Sequence, residues 1–584
     1  MKILNRLTFL FIALIIAMAC KDDFIDPLTP TDPGPDESAP SVTINFPQEG
    51  TVLQTNEQVT SINIKFEVSD DIEIKDVSIQ LDGTELIKYS EFLDYRRFLN
   101  EYLYDQVTNG MHVLTISATD LEGKTGTATV NFEKGPPYLP VYEGEVFYMS
   151  FDGDYLEKNS LQEATAVGSP GFAGAGNGIQ GGDAYKGGSD SYLTFPTAGL
   201  QGAEFSASFW LKVNAVPDRA GVLVMGPVDE ANPTSMNNRK NGFRFFRENA
   251  GGKQRFKLNV GNGTADSWFD GGAAADVDPA AGEWAHMAFT ISETESVVYI
   301  NGEVVKQGAF SGVDWSGCDV LSIMSGAPRF TGWGHNSDES LMDELRLFTK
   351  ALTQDEIKGI ILSESAIFRM SFEDDYTDQV SGQEATVVGT PGFGGANSGF
   401  EGNAYSGATD AYLTFPTDGL QGAEFSASFF VKVNDVPDRA GVLVMGPVDE
   451  ANPDAMNNRK NGFRFFRENA GGKQRFKLNV GNGTADSWFD GGAAADVDPT
   501  VDQWVHIVFT ISSTESVVYI DGQVAKQGIF TGVDWTGCDV LSIMSGAPRF
   551  TGWNHKSDEG MMDELMLFDR ALTQADVQIL KAGI

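Results

Sequence analysis

The sequence predicts an all-β chain with one small N-terminal β-sandwich followed by two larger β-sandwiches that repeat each other. Apolar and polar residues alternate along many short segments, which is typical of strands with one buried face. The 65 glycines and 23 prolines among 584 residues supply the turns that such a fold needs. The stretch from Arg219 to Pro279 returns almost unchanged from Arg439 to Pro499, so the larger sandwich occurs twice.

The charge of the chain argues against some classes of partner. Asp and Glu number 82 against 41 Lys and Arg, which gives a formal net charge of −41. Phosphate backbones and anionic lipid headgroups repel such a chain, so nucleic acid is not an expected partner. Three cysteines and five histidines leave little material for a zinc cluster or a disulfide framework.

Residues 1–19 are predicted to be a lipoprotein signal peptide. Lys2 and Arg6 precede an apolar run, Leu7 to Ala19, that is too short to span a bilayer. The segment Ala17-Met18-Ala19-Cys20 resembles a bacterial lipobox, which implies that Cys20 is lipidated. The next residues, Lys21-Asp22-Asp23, resemble the export signal of surface lipoproteins in Bacteroidetes-type bacteria. We therefore expect a lipid-anchored protein exposed on the outer membrane, with a periplasm-facing lipoprotein as the alternative.

Residues 20–40 are predicted to be a lipidated, proline-rich linker that holds the rest of the chain away from the membrane. Residues 41–137 follow with alternating runs such as Ile62 to Val68 and Val77 to Leu81, separated by turns such as Asp82-Gly83. This segment resembles the bacterial immunoglobulin-like domains and is expected to be a small sandwich. Its aromatic stretch from Tyr89 to Tyr104 is either a contact surface or ordinary packing.

The repeated segments are predicted at residues 143–362 and 366–584. Asn301-Gly302 and Asp521-Gly522 each predict a tight hairpin turn at the same place in the two copies. A short helix capped by threonine is expected from Thr353 to Ile361 and from Thr573 to Leu580. Only Leu362 to Ser365 separate the copies, so we expect a nearly fixed mutual orientation. Cys318 and Cys538 occupy equivalent positions and are expected to be buried free thiols.

Three ordered motifs in each copy carry a family resemblance. They are Trp284-Ala285-His286, Tyr299-Ile300-Asn301-Gly302 and the run from Met342 to Thr353, with counterparts beginning at Trp504, Tyr519 and Met562. These motifs resemble those of the laminin-G-like, concanavalin A-like jelly-roll domains. The resemblance implies two tandem jelly rolls over about three quarters of the chain. It implies little about function, because this fold hosts lectins, glycosidases, lyases and adhesion modules.

The sequence argues against an enzyme. Jelly-roll glucanases need acids at alternate strand positions, but Leu341 stands where the middle acid of the run from Asp338 to Glu344 should lie. The strand from Arg255 to Gly261 lacks both tyrosines of the lyase motif that it most resembles. His286 and His506 lie beside tryptophan in strands and are expected to be core residues. We therefore expect no catalytic residues.

A sugar site needs flat aromatic faces and polar side chains, so tryptophans in polar loops are the informative ones. Trp210 and Trp284 lie in strand patterns and are expected in the core. The polar loop from Gly226 to Asn241 adds Asn237, Asn238, Arg239 and Lys240. The alternative is that the loop tryptophans only fill the bases of their loops. The predicted ligand-binding residues are Trp268, Trp315, Arg329, Trp333 and His335, with Trp488, Trp535, Arg549, Trp553 and His555 in the second copy.

The family resemblance also implies one structural calcium ion in each jelly roll. Calcium requires hard oxygen ligands. The candidates are Asp152 and Asp343 in the first copy and Glu373 and Asp563 in the second. The nearby Asp154, Asp374 and Asp375 could replace them as calcium ligands. The alternative is that all these acids are solvated loop residues that bind no metal.

Together these features predict a non-catalytic surface lipoprotein that binds a polysaccharide or oligosaccharide. The expected context is a nutrient-uptake system of the SusC/SusD kind in the outer membrane. Two alternatives stay open, namely a structural accessory subunit of an outer-membrane complex and a surface adhesin.

Overall fold

The computed structural model describes residues 35–53, 55, 57, 59–135 and 138–583. These residues form two compact units that are divided after Tyr138. The predicted signal peptide, Cys20 and the linker up to residue 34 lie outside the described residues. The prediction of an all-β chain is confirmed, with an immunoglobulin-like sandwich followed by two jelly rolls.

The first unit is a sandwich of two sheets. Strand Arg97–Thr108 lies at the edge of the smaller sheet. The predicted turn at Asp82-Gly83 is present, and both of its residues have positive φ. Buried aliphatic residues and phenylalanines between the sheets form the core. The smaller sheet contains, in spatial order, Ser41–Phe46, Val59–Ser69 and Arg97–Thr108. The larger sheet contains Thr51–Leu53, Thr125–Lys134, Gly110–Asp120, Ile74–Leu81 and Thr84–Tyr89.

The first repeat is a sandwich of two eight-stranded sheets, which we call the front sheet and the back sheet. The front sheet contains, in spatial order, Thr165–Val167, Tyr192–Pro196, Val320–Ile323, Arg219–Met225, Asn241–Ala250, Lys253–Asn262 and Asp266–Asp270, with Asp276–Val277 also paired to Lys253–Asn262. The back sheet contains Gly171–Phe172, Tyr185–Lys186, Leu341–Phe348, Phe205–Lys212, Trp284–Ile291, Glu295–Ile300 and Glu303–Ala309, with Glu145–Met149 also paired to Leu341–Phe348. A short hairpin joins Leu156–Glu157 to Gln162–Glu163, and 3-10 turns cover Gly272–Ala275 and Pro279–Ala281.

The second repeat has the same two sheets in the same order. Its front sheet contains Thr386–Val388, Tyr412–Pro416, Val540–Ile543, Arg439–Met445, Phe463–Ala470, Lys473–Gly481 and Asp486–Asp490, with Asp496–Val497 also paired to Lys473–Gly481. Its back sheet contains Gly392–Phe393, Tyr405–Ser406, Met561–Phe568, Phe425–Lys432, Val505–Ile511, Glu515–Ile520 and Gln523–Ile529, with Phe368–Met370 also paired to Met561–Phe568. A 3-10 turn covers Gly492–Ala495.

Alternation of side chains explains the core of each repeat. In the first repeat, Phe205 and Phe209 of the back sheet meet Phe243 and Phe245 of the front sheet between the two layers. The hairpin turn at Asn301-Gly302 has φ of 50° and 74°, as the Asn-Gly pair predicts. Cys318 and Cys538 are buried and free, as predicted. Trp210 is buried as expected, whereas Trp284, at the start of its strand, is only half-buried.

A helix covers the outer face of each back sheet. Helix α1 comprises Gln354–Glu364 and helix α2 comprises Gln574–Ala582, and threonine caps both with a reciprocal capping box. Ile357 and Ile360 of α1 pack on Ala288 and other residues of the back sheet. Neither helix of the described chain is long and apolar enough to cross a membrane.

Helix α1 extends three residues beyond the predicted end at Ile361, because its last turn takes part in a buried ionic cluster. The Arg346 guanidinium lies 2.8 Å from Glu364, 3.0 Å from Glu344 and 3.1 Å from Glu145. The indole of Trp210 donates a hydrogen bond of 2.8 Å to Glu364. The predicted linker is therefore mostly helix, and strand Phe368–Met370 of the second repeat begins four residues after α1 ends.

Candidate functional site

A small apolar cluster lies on the outer face of the front sheet, opposite the face that forms the core. In the first repeat it consists of Val224, Phe246 and Phe330, all buried. Val224 and Phe246 come from neighbouring strands, and Phe330 comes from the loop that follows Val320–Ile323. This cluster is the support for two predicted ligand-binding tryptophans.

Trp268 and Trp333 lie on this support and stack on each other. Their ring centroids are 5.6 Å apart, and their planes meet at 22°. The edge of Trp268 packs on Phe246, and Trp333 packs on Phe330. The two indoles remain 40% and 39% exposed, which is high for side chains of this size. They form an exposed aromatic surface fixed in place by buried rings.

Arg239 contributes the positive charge of this surface. Its guanidinium carbon lies 4.6 Å from the Trp333 centroid and 5.6 Å from the Trp268 centroid, within the range of cation–π contacts. Its Nε is 3.1 Å from Asp266, which also accepts a hydrogen bond of 2.8 Å from Asn259. Partial burial disfavours the Asp266 carboxylate, but the bonds from Asn259 and Arg239 outweigh it and lower its pKa. We call Trp268, Trp333, Arg239 and Asp266 the aromatic cluster.

Two loops that are distant in sequence assemble the aromatic cluster. The carbonyl of Met236 accepts hydrogen bonds of 2.9 Å from the amides of both Thr331 and Gly332. A Cβ atom at Gly332 would lie 2.8 Å from the carbonyl oxygen of Ser235, so this close approach requires glycine. The loop that carries Arg239 is thereby fixed to the loop that carries Trp333.

His335 differs from its predicted role because it is fully buried. It stacks on Phe330 at 4.7 Å, and its Nε2 lies 3.2 Å from Glu248. Burial lowers the pKa of His335 to about 4, although Glu248 raises it. Its ring therefore supports the aromatic cluster from below and offers a ligand no surface. His555 occupies the same place in the second repeat.

Trp315 and Arg329 lie apart from the aromatic cluster. Trp315 is half-buried against Phe205 and donates a hydrogen bond of 2.8 Å to the carbonyl of Gly202, so it fills the base of its own loop. Arg329 forms an ion pair of 2.6 Å with Asp319. Trp535 and Arg549 repeat these contacts in the second copy. None of these four residues contacts the stacked tryptophans. The guanidinium beside the stacked indoles of the first repeat is that of Arg239.

The second repeat reproduces the aromatic cluster. Trp488 and Trp553 stack with centroids 5.6 Å apart and planes at 21°. Arg459 lies 4.6 Å from the centroid of Trp553 and 3.1 Å from Asp486. The two clusters therefore present the same chemistry, namely an exposed aromatic surface beside a guanidinium and a carboxylate. Such a surface suits the apolar face and the hydroxyl groups of a sugar ring.

The predicted calcium ligands face one glycine-rich loop in each repeat. In the first repeat, Asp343 accepts a hydrogen bond of 2.8 Å from the amide of Ile179, and Asp152 accepts one of 3.0 Å from the amide of Asp183. Burial, together with the charge of Glu344, raises the pKa of Asp343 to about 9. A divalent cation would stabilise the anionic form, so this pair of carboxylates fits calcium.

The second repeat arranges Glu373 and Asp563 in the same way. Glu373 accepts a hydrogen bond of 3.0 Å from the amide of Asn403, and Asp563 accepts one of 2.7 Å from that of Phe400. Burial raises the pKa of Asp563 to about 7. Among the described residues no group of three or more acidic, histidine or cysteine side chains could hold a metal, so each candidate site has two carboxylates.

The strand histidines are core residues, as expected. His286 is fully buried and lies 2.8 Å from the hydroxyl of Ser208. Burial lowers the pKa of His286 to about 3, which keeps its ring neutral. His506 has the same partner type, Ser428, at 2.9 Å.

Comparisons with known proteins agree with this architecture. The sequence model of the concanavalin A-like lectin/glucanases superfamily matches residues 186–358 and 406–578. The model of a bacterial Ig domain matches residues 40–130. No curated protein matches the chain.

Solved structures similar to the chain have low sequence identity and low TM-scores. Domain 4 of AbnA, a GH43 extracellular arabinanase from Geobacillus stearothermophilus in complex with arabinotriose, is 18% identical over 37% of this chain and 98% of that chain, with a TM-score of 0.29. Domains LG4-5 of the mouse laminin α1 chain are 12% identical over 74% and 96%, with a TM-score of 0.22. A heptameric SAP-like pentraxin from Limulus polyphemus is 14% identical over 28% and 70%, with a TM-score of 0.21.

Proposed function

We propose that this chain, which belongs to the concanavalin A-like lectin/glucanases superfamily, is a non-catalytic protein that binds glycan through its two aromatic clusters. The observation that carries the proposal is the exposed, stacked tryptophan pair with its arginine, present in both repeats with the same geometry. Trp268 and Trp333 take no part in the core between the two sheets, although they pack on the small outer cluster. Their indole faces are suited to stacking on sugar rings, with Arg239 and Asp266 to bind hydroxyl groups.

The cellular context of the proposal comes from the N-terminal sequence. Lipidation at Cys20 would anchor the protein to the outer membrane, and the proline-rich linker would hold the repeats away from the surface. A surface glycan-binding protein of this kind would serve a nutrient-uptake system of the SusC/SusD type by concentrating polysaccharide near the transporter.

We also propose that each repeat holds one structural calcium ion. Asp152 and Asp343 would bind it in the first repeat, and Glu373 and Asp563 in the second, each pair beside the glycine-rich loop whose amides contact it. The ion would supply only charge neutralisation and would fix this loop to the sheet. Its role would be structural.

Calorimetric titration and affinity electrophoresis against a panel of polysaccharides test the proposed function. The variant Trp333→Ala/Trp553→Ala removes one stacking surface from each cluster without opening the core, because both indoles are about 40% exposed. A central aromatic contact is worth about 2 kcal/mol, so affinity should fall about 30-fold.

The matched control is Trp315→Phe/Trp535→Phe, which alters the tryptophans that fill loop bases. Binding should be retained in this control, because Trp315 already uses its indole N–H within the protein. If the control loses binding and Trp333→Ala/Trp553→Ala keeps it, the site has been assigned to the wrong tryptophans. If no polysaccharide binds the unaltered chain, the proposed function fails.

A further inference from the structure

The N-terminal unit has a long strand at the edge of its smaller sheet. Arg97–Thr108 is twelve residues long and pairs on one side with Val59–Ser69. On its other side the described residues provide no partner strand. Strands in globular proteins usually have about five or six residues, so this edge is twice the ordinary length. We call Arg97–Thr108 the edge strand.

The outer face of the edge strand is exposed and partly apolar. Leu99 and Leu103 are 63% and 65% exposed, while the alternate residues Phe98 and Tyr102 pack towards the core. Leu93 and Tyr95, just before the strand, are also exposed. The strand contains no proline or glycine, and its pairing with Val59–Ser69 is regular from Arg97 to Tyr104, with a bulge at Asp105–Gln106 near its end. Soluble proteins usually interrupt a long exposed edge, because unpaired backbone groups attract another strand.

The charges on the outer face run in an order that complements itself when the strand is reversed. The exposed residues are, in sequence, Arg97, Leu99, Glu101, Leu103 and Asp105. An antiparallel copy centred on Glu101 would place Arg97 opposite Asp105 and Leu99 opposite Leu103, each pair occurring twice. The pairing would extend over nine residues, from Arg97 to Asp105. Opposite charges and apolar side chains that face each other across strands stabilise a sheet.

The two Glu101 side chains would face each other at the centre, and the neighbouring strand already compensates for this charge. Lys65 lies 3.5 Å from Glu101, and the amide of Asn63 donates a hydrogen bond of 2.8 Å to the same carboxylate. Each glutamate would therefore bring its own cation to the two-fold axis. Opposing carboxylates without such partners would be unfavourable.

We propose that the edge strand is a self-association surface, and that it pairs with the edge strand of a second copy of this chain about a two-fold axis at Glu101. A second copy fits better than an unrelated strand, because the same five side chains supply both halves of each complementary pair. The two three-stranded sheets would become one continuous six-stranded sheet. The inference is independent of the aromatic clusters and of the proposed glycan binding.

Cysteine cross-linking tests the register. The chain is used from residue 20 onward with Cys20→Ser, which leaves only the buried Cys318 and Cys538 as native thiols. Glu101→Cys should form a disulfide-linked dimer on mild oxidation, because the two residues would lie directly opposite each other. Leu99→Cys should not, because its counterpart is Leu103 of the second copy, whereas Leu99→Cys/Leu103→Cys should. Efficient cross-linking of Leu99→Cys alone would overturn the register.

Sedimentation equilibrium of the same chain with no added cysteine tests the pairing itself. Asp105→Arg and the pair Arg97→Asp/Glu67→Lys should each weaken dimerisation by about tenfold or more, since each places like charges opposite each other twice. Glu67 is reversed together with Arg97 because the two form an ion pair of 2.6 Å within the chain. The combined variant Glu67→Lys/Arg97→Asp/Asp105→Arg should restore dimerisation. Leu121→Lys, an exposed leucine outside the edge strand, is the control and should dimerise normally. A chain that stays monomeric at all concentrations, or a combined variant that is no better than Asp105→Arg or Arg97→Asp/Glu67→Lys, would overturn the proposal.

Discussion

Removing the buried carboxylate that pairs with Arg247 of the front sheet, and its counterpart in the second repeat, should destabilise both repeats strongly. Asp338 and Arg247 are fully buried and form two hydrogen bonds of 2.6 and 2.9 Å. Asp558 and Arg467 form the same pair in the second repeat. Changing both carboxylates, Asp338→Asn/Asp558→Asn, keeps the shape of the side chains but leaves each guanidinium buried without its counter-ion.

The expected cost is large because the surviving charge cannot reach water. Loss of one partner from a buried ion pair costs about 3–5 kcal/mol. Arg247 keeps its bonds to Gln254 and to the carbonyl of Pro217, which places the expected loss near the lower end, about 3 kcal/mol per repeat. For a domain of this size, about 2–4 °C of melting temperature accompany each kcal/mol, so the repeats should melt about 6–12 °C earlier.

Differential scanning calorimetry measures this change, and an exposed ion pair provides the control. Asp319 is 68% exposed in its pair with Arg329, and Asp539 is the equivalent residue. Surface pairs contribute about 0–1 kcal/mol, so Asp319→Asn/Asp539→Asn should hardly shift the transition. Equal shifts for the two variants would refute the argument that burial sets the cost.

Three further predictions concern the arginine of the aromatic cluster, the proposed calcium ion and the presence of two binding sites in one chain. Titration calorimetry should show that Arg239→Met/Arg459→Met weakens glycan binding about tenfold, because a cation–π contact and donors are lost, whereas Arg329→Met/Arg549→Met leaves it unchanged. Chelator should lower the melting temperature, and Asp343→Ala/Asp563→Ala should abolish that sensitivity. Without calcium, the pKa of Asp343 is about 9 in the folded chain and 3.8 in the unfolded chain, so between these values only the folded chain keeps the proton. The stability of the calcium-free chain should therefore fall as pH rises from 3.8 to about 9, and the loss of melting temperature caused by chelator should grow. A chelator effect that is constant with pH would contradict the assignment of Asp343. On a long polysaccharide, Trp333→Ala or Trp553→Ala alone should lower the avidity about 100-fold, because the chain can then bind through one site only. Titration of the unaltered chain with a short oligosaccharide should show two equivalent sites. Equal losses of affinity on the long and the short ligand would mean that the two sites do not act together.

Local patterns were sufficient to predict the fold. Alternation predicts the strands, Asn301-Gly302 predicts a hairpin turn and Thr353 predicts the helix cap, because each depends on neighbours in sequence. The end of helix α1 was missed for the opposite reason. Glu364 is held by Arg346 and by Trp210, which lies 154 residues away, and sequence spacing contains no sign of that contact.

The candidate site was predictable in its aromatic part only. Polar sequence surroundings select Trp268 and Trp333, and the structure stacks these two indoles on each other. Only Trp333 lies in a loop, whereas Trp268 lies in strand Asp266–Asp270 at the edge of the front sheet. The same signal selected Trp315, whose indole instead fills a loop base. Proximity to Trp333 in sequence favours Arg329 as the arginine of the site. The fold instead brings Arg239 next to Trp333, through the contact of Met236 with Thr331. Adjacency to Trp333 also selects His335, but the rings of Phe330 and Phe246 pack against it, and it is buried.

The two repeats differ where they join and agree where they are exposed. At the junction, Arg346 of the first repeat is replaced by Met566, and Tyr148 is replaced by Arg369, which bonds Ser363 at the end of helix α1. These changes are explained by position, because Arg346 and Arg369 both contact the end of helix α1, which leads into the second repeat. The residues that build the aromatic clusters are the same in the two repeats, and so are the buried rings beneath them. The centroid distances are therefore identical, at 5.6 Å, and the angles between the indole planes differ by one degree. Two clusters of equal geometry would bind the same ligand, which is the condition for the avidity expected on a long polysaccharide.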